Sequence, residues 1–127
     1  MYAITSKTGK IMAYVINQVI VNAEDGHGIG IILGNCVFDS KSNIAGKYFD
    51  NTIRDTDGYI VGEVHPYESD KIATMLPQQD LALMGWNIVL NIKEHLCGWI
   101  EARKEWSDIS ILAFFVKQDP ALHTIGV

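Results

Sequence analysis

The chain has 127 residues, of which 48% are apolar and 20% charged, and its formal net charge is −5. That length suits one ordinary domain, and the composition supports a packed core and excludes a disordered chain. Residues 1–64 carry five Lys or Arg against seven Asp or Glu, and residues 65–127 carry five against eight. Neither half therefore offers the clustered cations that a nucleic-acid backbone requires.

The chain opens on Met1-Tyr2-Ala3-Ile4, which already belongs to a strand pattern and lacks a basic n-region or a long apolar h-region. No window reaches the ~18 uninterrupted apolar residues of a membrane span. The expectation is a soluble, cytoplasmic protein. Four related segments then follow. They are led by Ile4, Ile20, Val37 and Ile53, at spacings of 16, 17 and 16 residues. Two residues after each lead stands a short polar residue: Ser6, Asn22, Asp39 and Asp55. Such side chains bond the backbone two residues on and so open a turn. Gly9, Gly26 and Gly58 close it, where a left-handed backbone is needed, and Ser42 replaces that glycine in the third copy. That turn is expected to be the most strained or the odd one in shape.

Beyond each turn, Ile11, Ile44 and Ile60 are expected to pair across the hairpin with Ile4, Val37 and Ile53, while Gly28 takes this place in the second copy. Alternation then sets Ala13, Gly30, Gly46 and Gly62 on one face, followed by Val15, Ile32, Tyr48 and Val64. A small residue recurring at one fixed strand position points to a bend or a close backbone approach. Four such bends let four hairpins converge on one axis. A flat meander, the alternative, gives no reason for the column.

The repeated pattern of an apolar residue, x, Asp, x-x, Gly, x, Ile, x, Gly, x, Val resembles the four-fold β-flower domains of bacterial proteins, over roughly residues 1–64. The resemblance implies an architecture, a small pseudo-fourfold β-structure followed by other elements. It implies no catalytic residues.

In the second half, His65-Pro66-Tyr67 interrupts the strand pattern, because proline cannot donate to a ladder. Ser69-Asp70 is expected to cap a short helix running to Leu76 and ended by Pro77. From Gln79, apolar residues recur at three- and four-residue steps through Leu81, Met84, Ile88, Ile92, His95, Leu96, Trp99, Ile100 and Arg103. The pattern predicts one helix of about 25 residues, although residues 86–92 also alternate in part like a strand. Ser107-Asp108 marks a stop or a new cap. Ile109–Val116 is a buried strand or helix, with the β-branched and aromatic content favouring strand. A tail follows from Gln118. The fold class expected is α+β: a fourfold hairpin repeat (1–64) covered by a helical region (65–127), folding as one unit.

Candidate chemistry is sparse. Asp55-x-Asp57-Gly58 has the look of a calcium loop, but its first and last ligand positions fall on Ile53 and Val64, so turn chemistry explains it better. Gly26-x-Gly28-x-Gly30 would place the third glycine of a dinucleotide loop on Leu33, with no βαβ unit around it. Cys36 and Cys97 share no metal-ligand spacing and are expected to be small buried hydrophobes. No metal, cofactor or nucleophile setting is recognised. His27 has Glu24 and Asp25 nearby, and His95 lies on the expected apolar helix face. Two readings lead; a third, a membrane-surface protein whose helix docks to lipid, ranks last because Lys93, Arg103 and Lys104 are offset by Glu94, Glu101 and Glu105. The first is a non-catalytic interaction module, a homodimer with Trp99 and Trp106 on one helix face near the contact. Those two residues and His65 are then the candidate binding residues, and Ala13, Gly30, Gly46 and Gly62 are structural. The second is a small enzyme with a site at the hairpin–helix junction, using His65 with Glu63 or Glu68. Whether the chain takes a small-molecule ligand, and which, is left open by the sequence.

Overall fold

The structure, a computed structural model, describes residues 1–68, 78–93 and 96–117. Eight antiparallel strands run in chain order around a closed barrel: β1 (Tyr2–Thr5), β2 (Ile11–Ile16), β3 (Val19–Asn22), β4 (Gly28–Leu33), β5 (Cys36–Asp39), β6 (Ile44–Phe49), β7 (Thr52–Arg54) and β8 (Ile60–Pro66). Closure comes from pairing β1 with β8, through Ile4↔Val64 and Ala3↔His65. Among the described residues two helices follow, α1 (Gln78–Leu90) and α2 (Ile111–Lys117). The class is therefore mostly β, not the expected α+β. The short helix expected over residues 69–76, His95 and the tail from Gln118 lie outside the described residues.

The four longer turns all lie at one end of the barrel, and their chemistry is shared. Gly9, Gly26, Ser42 and Gly58 all have positive φ, at 86°, 73°, 66° and 92°. Asp39 Oδ1 accepts from the amides of Lys41 and Asn43, and Asp55 Oδ1 accepts from those of Asp57 and Tyr59. The Asp55 carboxylate is thus engaged in the turn that mimics a calcium loop. At the opposite end, two-residue turns join β2 to β3 and β6 to β7. Asn17, Gln18, Asp50 and Asn51 hold positive φ there, as the twist of a tight hairpin demands.

Cross-strand register differs from the sequence expectation. Immediately after each lead residue a β-bulge slips the ladder by one, between Ile4/Thr5, Ile20/Val21, Val37/Phe38 and Ile53/Arg54. The leads therefore face the small column: Ile4↔Ala13, Ile20↔Gly30, Val37↔Gly46 and Ile53↔Gly62. Ile11, Ile44 and Ile60 instead oppose Thr5, Phe38 and Arg54. The bulges also explain the column. A Cβ on Gly30 would stand 2.3 Å from the Phe38 carbonyl oxygen, and one on Gly46 would stand 2.0 Å from that of Arg54. Each of those carbonyls belongs to the residue just past the lead of the next unit.

An inner core fills the barrel. Ile4, Ile20, Val37 and Ile53 are fully buried in it, together with Ile111, Phe114 and Phe115 of α2. An eight-stranded barrel is just wide enough for side chains to fill it. Here α2 plugs it: Phe115 would meet a Cβ on Gly30 at 2.7 Å, and Phe114 one on Gly46 at 3.0 Å. The 109–116 run is thus a helix and not a strand. Ser110 caps it, its hydroxyl accepting from the Ala113 amide at 3.1 Å and its carbonyl from Phe114 at 2.8 Å.

A second core lies outside the wall, where Leu81, Ile88 and Ile92 pack on Val19, Val21, Ile31 and Phe38. The expected long helix stops at Leu90, after 13 residues. Its end tightens, with the Asn91 and Ile92 amides reaching back to the Ile88 and Val89 carbonyls. Residues 96–107 lie along the barrel as a strap without helix, their backbone groups finding partners on the barrel. Cys97 is disulfide-bonded to Cys36, with Cα atoms 5.6 Å apart. The two cysteines are thus a covalent clasp and not the independent hydrophobes expected. Farther on, the Arg103 amide donates to the Gly58 carbonyl, Ile60 donates to Glu105, and Ser107 donates to Ile60. Arg54, buried in the wall, donates to the carbonyls of Gly58 and Arg103.

Candidate functional site

His65 sits near the end of β8, opposite Ala3 of β1. Its Nε2 lies 3.4 Å from Glu63 Oε2, and both side chains are about half exposed, at 53% and 45%. Glu68 is exposed. A general base needs a cleft in which to meet its substrate, and His65 is in the wall of none of the three cavities described below. His27 is 83% exposed beside Asp25. Among the described residues, no three His, Cys, Asp or Glu side chains come together as metal ligands would, and no helix is long and apolar enough to cross a membrane. On the outer wall, burial, and then the neighbouring Tyr67, raise the Tyr14 phenol above its ordinary range. The two rings lie 5.4 Å apart.

Trp99 and Trp106 do not share a helix face, since both lie on the strap. Trp99 is 85% exposed, while Trp106 is half-buried and bridges to Ile60. The tryptophan that stands on a helix face in solvent is Trp86. With Leu83 and Leu90 it forms a stripe at steps of three and four, each residue about 60% exposed. The opposite face of α1, carrying Leu81 and Ile88, is the one buried on the barrel. The sequence reading registered only this buried stripe. Leu83 and Leu90 were the signal for the other, since an amphipathic helix would place polar residues there.

Among the described residues, concave space is found at three places of note. A groove of 730 Å³ runs between α1 and the β5–β6 turn, with Lys41, Asp80, Asn87 and Lys93 on its sides. A smaller hollow of 350 Å³ continues it past Asn43 and Ile44. The third, of 370 Å³, is the mouth of the barrel at the end away from α2. Its wall contains Val15, Ile32, Tyr48 and Val64, the residues that follow the small column, with Asn17 and Gln18 at the turn end. The Tyr48 hydroxyl donates to Asn51 Oδ1 at 3.2 Å.

No family model matches the chain, and neither the curated proteins nor the solved structures contain a match to it.

Proposed function

We propose that the chain is a non-catalytic interaction module that pairs with a second copy of itself through the exposed face of α1. The observation that carries this reading is the Leu83, Trp86, Leu90 stripe, left in solvent by a helix whose other face is already buried. Exposed apolar area of this kind, concentrated around a tryptophan, is what an interface core is made of. Charge favours a like partner. Two copies at −5 repel, yet Asp80 is the one charged residue of α1. In a two-fold antiparallel pairing centred between Trp86 and Asn87, Leu83 of one copy faces Leu90 of the other. Asp80 then falls opposite Lys93, which lies just past the helix end. Both pairs are centred on the same point, as an isologous contact requires.

The four hairpins are, on this proposal, copies of one unit set around the barrel axis, in keeping with the resemblance to β-flower domains. Trp86 takes the interface role that the sequence reading gave to Trp99 and Trp106. The Cys36–Cys97 disulfide favours an oxidising compartment over the cytoplasm.

Sedimentation or light scattering of the full chain at micromolar concentration tests the pairing. The native chain is expected to be a dimer and Leu90→Asp a monomer. Asp80→Lys alone should weaken the dimer, and adding Lys93→Asp should restore it. A native chain that stays monomeric across the range overturns the reading.

A further inference from the structure

We infer that the open mouth of the barrel is a binding site for a small uncharged molecule with an apolar body and one hydrogen-bond donor. The inference does not depend on self-association, because α1 packs on the outer wall over β3 and β4 and, among the described residues, no element covers the mouth.

The site follows from how the barrel is filled. At the end of the longer turns, α2 inserts Phe114 and Phe115 against the glycines of the small column. The leads Ile4, Ile20, Val37 and Ile53 then close the middle completely. Val15, Ile32, Tyr48 and Val64 form the last ring beyond them, and the 370 Å³ hollow opens above that ring. Its floor is therefore made largely of packed aliphatic side chains, Val15, Ile32 and Val64. The volume lies within the range of small-ligand pockets, of which barrel mouths are a recurrent kind.

The chemistry of the wall selects the ligand. None of the side chains lining the mouth is charged: besides the ring they are Met1, Tyr2, Asn17 and Gln18. A charged ligand would lose hydration there with no charged side chain to compensate, the Met1 α-amino group being the one formal charge among the lining residues. One ring position departs from the aliphatic pattern, and that is Tyr48. Its hydroxyl hydrogen is committed to Asn51 Oδ1, which can only accept. With that hydrogen engaged, the phenol oxygen keeps its capacity to accept. A ligand that fits both features places an apolar body on the Val15, Ile32 and Val64 floor and donates a hydroxyl or N–H to Tyr48.

The test uses three probes of one shape: 4-propylphenol, which has the donor; 4-propylanisole, which lacks it; and 4-propylbenzoate, which is charged. Methyl resonances of the full chain are followed in a titration. Saturable shifts at Val15, Ile32 and Val64 are expected with the phenol, at least fivefold weaker binding with the anisole, and no binding with the benzoate. Tyr48→Phe should erase the difference between phenol and anisole while leaving the anisole affinity within twofold. Ile32→Trp should fill the hollow and abolish both. Absence of saturable shifts at these methyls with all three probes overturns the inference, as does benzoate binding equal to that of the phenol. Equal phenol and anisole affinities in the native chain would remove the role of Tyr48 and overturn the ligand class. Should Ile32→Trp fail to fold, the Tyr48→Phe comparison still decides.

Discussion

The two ends of the barrel are built from the same repeat and end up in opposite conditions. At the end of the longer turns, Gly30 and Gly46 leave room that Phe115 and Phe114 occupy. At the other end, Val15 and Val64 are buried, while Ile32 and Tyr48 stay half-buried around an unfilled hollow. The difference does not lie in the strands. It lies in α2, a segment outside the repeat, which reaches one end only. Small side chains at a fixed column create space at the turn end, and the non-repeating half decides what that space holds.

Adding bulk at the plugged end costs the most stability. Gly46→Val would drive its Cβ into the Arg54 carbonyl and against Phe114. Because the first obstacle is backbone, which cannot swing away, the loss is expected to reach about 4 kcal/mol or more. Lys47→Val, one residue on and pointing to the other face, should cost less than about 1 kcal/mol. Urea midpoints of the two variants measure this, and equal losses would mean that the small column has no special steric role.

Removing bulk sharpens the contrast between the ends. Phe114→Ala empties a site at which the side chain is 2% exposed, and should cost about 3–4 kcal/mol. Ile32→Ala at the open mouth enlarges space already open to solvent and should cost less than about 2 kcal/mol. Thermal or urea unfolding of the pair gives the ranking, and a larger loss at Ile32 would reverse the assignment of plugged and open ends.

The strap holds α2 in place, and its covalent anchor is the Cys36–Cys97 disulfide, which closes a separation of 61 residues. Chain entropy alone assigns such a loop about 4 kcal/mol. Cys97→Ser is expected to lose about 2–3 kcal/mol, since the Arg54 and Gly58 contacts continue to hold the far part of the strap. A variant as stable as the native chain under non-reducing conditions would show that the clasp adds nothing.

The repeat was legible in the sequence because each of its columns has a local cause: an Asx-type turn, a left-handed residue, an alternating face. Closure into a barrel was not, because the Ile4↔Val64 pairing joins residues from opposite ends of the repeat. The bulges were missed for a similar reason. A simple alternation cannot reveal a slip of one residue, and the slip moved Ile11, Ile44 and Ile60 away from their expected partners. In the second half, apolar steps of three and four continued past Leu90 although the helix did not. Spacing alone cannot tell whether backbone groups will bond within a helix or to a neighbouring barrel. The departures from the repeat carried more information than they seemed to. Gly28, which stands where the other copies have isoleucine, is where Met84 of α1 docks, at 1.8 Å from the place a Cβ would take. The irregular positions of the second and third copies, Gly28 and Ser42, are those against which α1 packs, and the Leu83, Trp86, Leu90 face was legible in the same way, as apolar residues where a covered helix should be polar.

Ser42 gives the smallest effect and the most pointed test of that idea. It occupies the glycine position of its turn at φ 66°, where an L side chain costs about 1 kcal/mol. Its hydroxyl donates to the Ile88 carbonyl of α1 at 2.7 Å, in a buried setting. A bond of that kind contributes about 1 kcal/mol, and losing it leaves a carbonyl near the end of α1 without that donor. The two terms nearly cancel. Ser42→Gly should therefore change stability by less than about 1 kcal/mol, relieving the backbone while losing the bond. Ser42→Ala keeps the strained backbone and also loses the bond, so it should be less stable than the native chain by about 1–2 kcal/mol. Equilibrium unfolding of both variants measures the difference. If alanine proves as stable as serine, the hydroxyl does not tether the helix, and the departure from glycine in the third copy has no structural cause at this site.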